Sequence, residues 1–372
     1  NIETISKDFV KVLVVCLFSL VLAKTPFLLF LDRNDNIFSN ELILKILLIS
    51  YSSNIIIKKL IRNSFSRKLW YLISDEDQIL FLNNEEKFIK KNINVVNISP
   101  SVISSFKFTK ADFGVIIPSY NFSSYMNEDN FILELQENGI SVLNILKWYE
   151  KFLFRFPPHL INKNDFLVNL PFNEYSVQTR LKRIGDLTFS FTLLFFTFPL
   201  IFFSCLAIFI EDRGPILYSQ TRTGYKGKKF KIYKLRTMKV NAEEKGFQWS
   251  QKDDKRVTFI GKFLRSSRID ELPQLFSVIS GEMSLIGPRP ERPEFDKILE
   301  KNIDYYRLRH LMKPGISGWA QVNYAYGASI SDSENKLSYD LYYLKNFSVW
   351  LDFLICIKTI KLVLNRKGSD PV

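Results

Sequence analysis

The longest apolar segment places the strongest limit on how this chain can fold. Residues 187–210 contain no charged side chain. A straight helix of this length would extend about 36 Å, which is enough to cross the hydrocarbon core of a bilayer. Pro199 lies at its middle, where proline removes a backbone hydrogen bond and kinks or breaks a helix. The segment therefore predicts a membrane helix that bends at its centre.

Charge on both flanks distinguishes two arrangements of this helix. Basic residues occur before it and after it, including Lys182, Arg183, Arg213 and Arg222. Because basic residues favour the cytoplasmic face, we expect a re-entrant helix over 187–210 that turns at Pro199 and returns. A broken helix in lipid requires protein packing around the break. An ordinary kinked span is the alternative.

Two weaker apolar stretches, 12–31 and 42–57, lie near the start of the chain. Each is a marginal spanning helix, and a signal peptide is the alternative for the first. The connection between them is mostly acidic, whereas basic residues follow the second. The pattern predicts a transmembrane hairpin over 1–62 whose following residues begin in the cytoplasm. Since the chain starts with Asn1, processing or missing upstream spans remain alternatives.

Short apolar runs then indicate a small α/β domain with a parallel sheet. Strands are predicted over 69–73, 95–98, 115–117 and 142–145, with a helix over 131–136. We expect a Rossmann-like domain over 69–160, followed by a linker. The turn after the first strand, 74–78, has no glycine, so the domain lacks a phosphate-binding loop. A regulatory or dimerising role is favoured, and homodimer formation stays open.

Composition limits the chemistry. Lys and Arg number 51 against 38 Asp and Glu, and the net charge of +13 favours an anionic partner: a nucleotide, nucleic acid or an acidic leaflet. The three cysteines lie in apolar stretches without metal-ligand spacing, which argues against disulfides, zinc and thiol catalysis. Only His159 and His310 are present, and an isolated histidine is usually structural.

Two further segments carry basic residues beside apolar ones. Residues 216–221 and 229–237 flank a glycine-containing turn and predict a β-hairpin. Its second arm is either a solvated edge strand or a phosphate platform that uses Lys234 and Arg236. Near the end of the chain, 345–368 predict an amphipathic helix in the membrane interface, with a buried core helix as the alternative.

Asp270 and Glu271 are adjacent carboxylates in a segment with Arg265, Arg268 and Arg289. Nearby guanidinium groups are expected to lower the pKa of a carboxyl and keep it ionised. Arginines also bind phosphate oxygens in pairs. An anionic nucleophile beside phosphate anchors suggests phosphoryl transfer. The alternative is an acidic pair that complements the positive end of a helix dipole.

Several motifs between residues 178 and 369 resemble those of one family. They include FKIYKLRTM, RSSRIDELPQL, GEMSLIGPRPE and KPGISGWAQVN, in this order. The chain resembles the bacterial sugar transferases, which are monotopic polyprenyl-phosphate glycosyl-1-phosphate transferases, in the long form with an N-terminal membrane and Rossmann-like module. The resemblance implies an α+β membrane-associated catalytic domain over 178–372 with a re-entrant Pro-broken helix and interfacial amphipathic helices.

The resemblance implies transfer of a sugar-1-phosphate from a UDP-sugar to polyprenyl (undecaprenyl) phosphate, with release of UMP. Asp270 would be the nucleophile and form an aspartyl-phosphosugar intermediate. Glu271 would assist as a base or metal ligand, and Asp270 and Glu271 together would hold Mg²⁺. Such a phosphotransferase would start exopolysaccharide, capsule, O-antigen or glycoconjugate synthesis.

The remaining motif positions take supporting roles by the same resemblance. Substrate phosphates would contact Arg265, Arg289, Lys234 and Arg236. The lipid phosphate or headgroups would contact Lys182 and Arg183, with Asp186 as their internal salt-bridge partner. The structural residues would include Pro199, Pro288 and Pro290, of which the last two stiffen the loop that presents Arg289.

The expected setting is the bacterial inner membrane, with the catalytic domain on the cytoplasmic face. The expected partners are a UDP-sugar, polyprenyl phosphate and the bilayer, without nucleic acid. A non-enzymatic membrane regulator that binds anionic lipid or nucleic acid is the alternative, but it leaves the Asp-Glu and Arg constellation unexplained. The sequence does not determine the sugar or the polymer.

Overall fold

The computed structural model describes residues 68–73, 93–101, 106, 108, 114–117, 128–161, 176–240, 242, 254–324, 327 and 329–365. The predicted transmembrane hairpin over 1–62 lies outside these residues. Contacts divide the chain into two units, Asn1–Leu153 and Phe154–Val372.

The first unit contains a four-stranded parallel sheet in the order β2-β1-β3-β4. The strands are β1 (Lys68–Ile73), β2 (Ile93–Ile98), β3 (Gly114–Ile117) and β4 (Ser141–Asn144), with α1 (Glu128–Glu137) before β4. Buried Ile73, Val115 and Leu135 form its core, because apolar side chains on the strands face those of the helix. The predicted parallel sheet is confirmed.

A short helical stretch closes the first unit. Helix α2 (Ile145–Trp148) begins where the Asn144 side chain accepts a 2.8 Å hydrogen bond from the amide of Leu146. A π-helical turn, Tyr149–Leu153, follows. The division between the units after Leu153 comes earlier than the expected domain end at residue 160.

Residues 154–161 belong to the second unit. The amide of Phe156 donates to the carbonyl of Ser338 at 2.8 Å. Arg155 donates to Asn335 Oδ1 at 3.1 Å. A 3₁₀ turn, Pro158–Leu160, ends this stretch, which therefore packs on a helix of the second unit.

Helix α3 (Val177–Asp212) is 36 residues long and passes through Pro199 without interruption. The prediction of a helix broken at Pro199 is therefore wrong for the backbone. Thr197 and Ser204 donate hydroxyl hydrogen bonds to carbonyls four residues earlier, at 2.6 and 2.7 Å. Such bonds satisfy polar side chains inside an apolar helix. Within the described part of the chain, only this helix is long and apolar enough to cross a membrane, judged by length and composition.

The predicted hairpin is confirmed and directs one lysine inward. Strands β5 (Leu217–Thr223) and β6 (Lys229–Leu235) pair antiparallel across a 3₁₀ turn, Tyr225–Gly227. Phe230 and Ile232 on β6 are buried. Because side chains alternate along a strand, Lys234 lies on the same inward face.

The rest of the second unit is mainly helical. In chain order its elements are α4 (Phe259–Ser267), a 3₁₀ helix (Ile269–Gln274), α5 (Leu275–Ser280), β7 (Ser284–Ile286), α6 (Pro293–Asn302), a 3₁₀ helix (Tyr306–Leu311), β8 (Gly315–Ser317), α7 (Trp319–Asn323), α8 (Ile330–Lys345) and α9 (Val349–Leu364). Strands β7 and β8 pair in parallel. A Cβ on Gly315 would lie 2.1 Å from the amide nitrogen of Gly287, so their close approach requires glycine.

Helix α9 combines the two predicted alternatives for the end of the chain. Leu351 and Ile355 are buried, whereas Phe353, Ile357 and Ile360 are about half exposed. One face therefore packs on the unit, and an apolar face points outward. Its placement in a membrane interface stays a prediction.

Candidate functional site

Three elements of the second unit bring the predicted carboxylates and cations together. Asp270 and Glu271 lie in the 3₁₀ helix Ile269–Gln274, and each is only 8% exposed. Lys234 reaches them from β6, and Arg289 reaches them from the loop after β7. Arg268, at φ +60°, precedes the 3₁₀ helix and adds another guanidinium. The result is a buried acidic pair with surrounding cations.

Glu271 is the member of the acidic pair whose position and charge are held by neighbouring cations. Its Oε1 accepts hydrogen bonds from Lys234 Nζ at 2.7 Å and Arg289 Nη2 at 2.9 Å. Arg268 Nη1 lies 3.8 Å from the same oxygen. Burial alone would raise the pKa of Glu271, but Lys234, Arg289 and Arg268 outweigh burial and hold this pKa well below its usual range. Glu271 is therefore a permanent anion that organises three cations.

Asp270 behaves differently. Burial, followed by the negative charge of Glu271, raises the pKa of Asp270 to about 6, against the attraction of Lys234, Arg268 and Arg265. The expectation that arginines would lower this pKa is therefore wrong for Asp270, because desolvation of a buried carboxyl outweighs the cations. Its Oδ1 is buried and accepts no hydrogen bond from the residues that the structure describes. At neutral pH this is a mostly ionised carboxylate with an unsolvated oxygen.

Two further predicted phosphate ligands lie beside the pair. Burial lowers the pKa of Lys234, although Glu271 opposes the change. Arg265 donates from Nε to Thr237 Oγ1 at 2.9 Å, and its charge acts on Asp270. Lys234 and Arg265 thus lie close to the acidic pair, as Arg289 does, and phosphate binding by these residues stays a prediction.

Arg236 is not in this group. It is 8% exposed and forms an ion pair with Asp212 at the end of α3. Strand β6 ends at Leu235, so the alternation that directs Lys234 inward does not extend to Arg236. Arg236 therefore connects the end of the hairpin to the end of α3. Phosphate binding by this residue stays a prediction without structural support.

Lys182 and Arg183 also contact protein groups. Lys182 Nζ lies 2.8 Å from Asp352 Oδ2, and its side chain is 9% exposed. Arg183 donates to the carbonyls of Val278 and Ile279 at 2.6 and 2.9 Å, which satisfies the C-terminal end of α5. These contacts are structural, and binding of lipid phosphate by either residue stays a prediction.

Asp186 is not the salt-bridge partner that the sequence predicts. Its Oδ1 accepts the backbone amide of Leu285 at 3.1 Å, whereas Lys182 pairs with Asp352. Asp186 therefore fixes the start of β7 against α3. The correct partner of Lys182 is 170 residues away in the chain, so no local pattern indicates it.

The Arg289 loop is held through its carbonyl groups. Gly315 N donates to the carbonyl of Pro288 at 2.9 Å. Arg309 Nη2 donates to that of Arg289 at 2.9 Å, and Arg222 Nη1 donates to that of Pro290 at 3.1 Å. The two prolines have no N–H, so these bonds fix the loop from the acceptor side.

Residues 177–366 match the family model for bacterial sugar transferases. This match covers about half of the chain and runs from the start of α3 to just beyond α9. The chain belongs to the bacterial sugar transferase family. All the site residues described above lie inside the matched range.

Curated proteins are similar to about half of the chain. The Aeromonas hydrophila UDP-N-acetylgalactosamine-undecaprenyl-phosphate N-acetylgalactosaminephosphotransferase is 48% identical over 166 residues, which are 45% of this chain and 39% of the relative. The Escherichia coli UDP-glucose:undecaprenyl-phosphate glucose-1-phosphate transferase is 38% identical over 186 residues, 50% of this chain and 40% of the relative.

A Caulobacter vibrioides UDP-glucose:undecaprenyl-phosphate glucose-1-phosphate transferase is 36% identical over 190 residues, 50% of this chain and 71% of the relative. This sugar transferase chain spans about two fifths of the length of the first two relatives.

The carboxylate oxygens of Asp270 and Glu271 offer few ligands for a divalent ion. Among the described residues there is no group of three or more His, Cys, Asp and Glu side chains that could hold a metal. Mg²⁺ is commonly held by one or two carboxylates together with substrate phosphates. The buried Oδ1 of Asp270 fits such a site. Glu271 would have to contribute Oε2, since Oε1 already accepts two hydrogen bonds.

The supporting residues of this sugar transferase differ in how far the sequence indicates them. Arg268 lies in the RSSRIDELPQL motif, two residues before Asp270, so the sequence does indicate that it belongs to the site. The residues that fix the Arg289 loop and its surroundings are more distant in sequence: Arg222, Arg309 and Asp340. Nothing in the spacing of these three indicates that they meet.

Proposed function

We propose that this sugar transferase moves a sugar-1-phosphate from a UDP-sugar to a polyprenyl phosphate, such as undecaprenyl phosphate. The observation that carries the proposal is the buried Oδ1 of Asp270, which accepts no hydrogen bond from the described residues beside a carboxylate held by cations. An unsolvated anion is a strong nucleophile. The relatives named for this type of reaction support the same choice.

In the first step, a carboxylate oxygen of Asp270 attacks the sugar-side phosphorus of the UDP-sugar. A new P–O bond forms to Asp270, and the bond from that phosphorus to the bridging oxygen breaks. UMP leaves with the electron pair. The enzyme then carries an acyl-phosphate ester of the sugar, so no proton transfer to the nucleophile is required.

In the second step, an oxygen of the polyprenyl phosphate attacks the same phosphorus. The acyl-phosphate bond breaks and returns the electron pair to Asp270 as a carboxylate. The product is a polyprenyl diphosphosugar. Because two displacements share one enzyme group, the proposal requires ping-pong kinetics.

The cations around Glu271 suit the charge that develops in both steps. Lys234, Arg268 and Arg289 lie within 3.8 Å of Glu271 Oε1. Preorganised cations in a poorly solvated site stabilise phosphoryl oxygens without reorganisation. Glu271 sets the places of these cations, and Arg289, whose side chain is 36% exposed, is the one most open to substrate phosphate.

We propose that Mg²⁺ binds with the diphosphate through Asp270 and Oε2 of Glu271. When bound, this ion would neutralise diphosphate charge and stabilise the UMP leaving group. Asp270 and Glu271 are adjacent in the 3₁₀ helix, so both carboxyl groups would lie near a diphosphate that is positioned for attack by Asp270. The chain itself supplies the nucleophile and the surrounding cations.

The packing of α3 supports a position for both of its ends on the same side of a bilayer. Near its start, Asp186 binds the amide of Leu285, and near its end, Ile208 packs in one core cluster with Leu264 and Ile269. Between these contacts, apolar side chains such as Phe195 are exposed, in this case by 77%. Both ends therefore pack on one folded unit. We propose that this unit lies on one side of the bilayer, at the cytoplasmic face of the inner membrane.

The test is UMP formation by the purified protein in vesicles that contain undecaprenyl phosphate and Mg²⁺. We would supply UDP-glucose, UDP-galactose and UDP-N-acetylgalactosamine separately and identify the lipid product by mass spectrometry. One sugar is expected to give UMP and an equal amount of undecaprenyl diphosphosugar.

Two variants sharpen this test. Asp270→Asn should lose transfer, because an amide is a poor nucleophile. The matched control is Asp254→Asn, because Asp254 forms an ion pair with Arg256. This variant should retain sugar-phosphate transfer. Absence of UMP with every sugar would favour a non-enzymatic lipid-binding role, and full turnover by the Asp270 variant would exclude the mechanism.

A further inference from the structure

The loop that presents Arg289 depends on side chains that do not touch the acidic pair. Its three successive carbonyls, from Pro288 to Pro290, each accept one hydrogen bond, and two of the donors are guanidinium groups. A loop with two prolines offers few N–H groups for other contacts. The direction of the Arg289 side chain therefore depends on how firmly its own carbonyl is held.

Arg309 holds that carbonyl from within a buried network. It is 7% exposed and lies 3.0 Å from Oδ2 of Asp340, which is 2% exposed. Its Nη1 donates to the hydroxyl of Tyr306 at 2.6 Å, and that hydroxyl donates to Asp296 Oδ1 at 3.0 Å. The nitrogen nearest Asp340 Oδ2 is Nη2, which is also the atom that donates to the carbonyl of Arg289. A guanidinium held by these contacts has little freedom to rotate, so the direction of Nη2 is defined.

The chain of contacts runs from α8 to the site. Asp340 on α8 fixes Arg309, and Arg309 Nη2 fixes the carbonyl of Arg289 at 2.9 Å. The Arg289 guanidinium then donates to Glu271 Oε1 at 2.9 Å. Each link is a contact between a charged group and a group that is buried or part of the main chain.

We propose that Arg309 is a positioning residue for phosphosugar transfer, which acts by fixing the main chain of Arg289. The proposal rests on the proposed function, because Arg289 matters here as the cation that meets the substrate diphosphate. A displacement of about 1 Å in a positioned group can cost about 100-fold in rate. Loss of Arg309 should therefore lower transfer although Arg309 touches neither substrate nor Asp270.

A double-mutant cycle separates positioning from a general structural role. The variants are Arg309→Met, Arg289→Met and the protein with both changes, assayed for kcat/KM of UMP formation in undecaprenyl-phosphate vesicles. Each single change should lower kcat/KM by about 10- to 100-fold. The double variant should lose no more than Arg289→Met alone, because Arg309 acts through Arg289.

The matched control is Arg307→Met, two residues away in the same 3₁₀ helix. The Arg307 side chain is 84% exposed, and its Nε is 3.9 Å from Glu300. This variant should keep wild-type kcat/KM. Thermal unfolding of each variant in detergent identifies any that fail to fold. If Arg309→Met does not fold, Arg309→Lys enters the same cycle, since it keeps a charge beside Asp340 and loses the forked geometry.

Two results would overturn the positioning role while leaving the proposed function intact. One is single losses that multiply in the double variant, and the other is a wild-type kcat/KM for the folded Arg309 variant, which is Arg309→Met or, where that does not fold, Arg309→Lys. A wild-type protein that forms no UMP from any UDP-sugar would overturn the proposed function and this proposal together.

Discussion

Replacing Asp270 with asparagine should make the protein more stable at neutral pH. The folded-state pKa of Asp270 is about 6, whereas its usual value is 3.8, because the carboxyl is buried next to Glu271. A raised pKa means that the folded state favours the protonated carboxyl. The resulting stabilisation is fully present below pH 3.8 and is lost as the pH rises through 6.

The size of the effect follows from these two pKa values. Each pKa unit corresponds to about 1.4 kcal/mol, so ionisation of Asp270 costs about 3 kcal/mol of the free energy of unfolding above pH 6. Asparagine resembles the protonated carboxyl in shape and stays neutral. Asp270→Asn should be about 3 kcal/mol more stable than wild type at pH 8, and the difference should approach zero near pH 4. For a unit of this size, the shift in Tm is about 6 to 12 °C.

The assay is thermal unfolding of both proteins in the same detergent between pH 4 and pH 8. Asp254→Asn provides a control of opposite sign. Hydrogen bonds from Arg256, at 2.8 Å from Nε and 2.6 Å from Nη2, lower the pKa of Asp254. The stability that this pair contributes is present at neutral pH and is lost as the pH falls, so its removal should destabilise the protein at pH 8. An Asp270→Asn variant that is no more stable than wild type at pH 8 would refute the electrostatic argument.

Three other predictions test the site, the loop and the membrane helix. Lys234→Met should reduce transfer by about 100-fold, whereas Arg236→Met should stay within a few-fold of wild type in the UMP assay; equal losses would contradict the assignment of Arg236 to Asp212. Gly315→Ala should cost about 1 to 3 kcal/mol and lower Tm by about 2 to 12 °C, because the added Cβ meets backbone; an unchanged Tm measured by differential scanning fluorimetry would argue against the tight β7–β8 contact. Single cysteines introduced just before Leu187 and just after Ile210, in a background without native cysteines, should react with an impermeant thiol reagent from the same membrane side; labelling from opposite sides would exclude re-entrance.

Local patterns in the sequence were sufficient for part of the secondary structure in each unit. Short apolar runs predicted the parallel sheet, and the glycine-containing turn predicted the β5–β6 hairpin. Both signals are local, because strand alternation and turn geometry depend on neighbouring residues. The motif around Asp270 and Glu271 likewise indicated an acidic pair near cations, and the structure brings Lys234 and Arg289 to Glu271.

Contacts between distant segments could not be predicted in the same way. Lys182 pairs with Asp352 instead of Asp186, because folding brings α9 against α3. The sequence grouped Lys234 and Arg236 in one phosphate platform, but β6 ends at Leu235 and Arg236 pairs with Asp212. The burial of Asp270 is also invisible in sequence, so the direction of its pKa change was predicted with the wrong sign.

Detection of a covalent phosphosugar on Asp270 tests the account most directly. The purified protein would be mixed with Mg²⁺ and the UDP-sugar that supports turnover, without polyprenyl phosphate, and analysed by intact-mass and peptide mass spectrometry while UMP is measured. We expect a burst of UMP that does not exceed one per enzyme, with the added sugar phosphate on Asp270 and none in Asp270→Asn. UMP formation that requires polyprenyl phosphate, with no adduct on the protein, would contradict it.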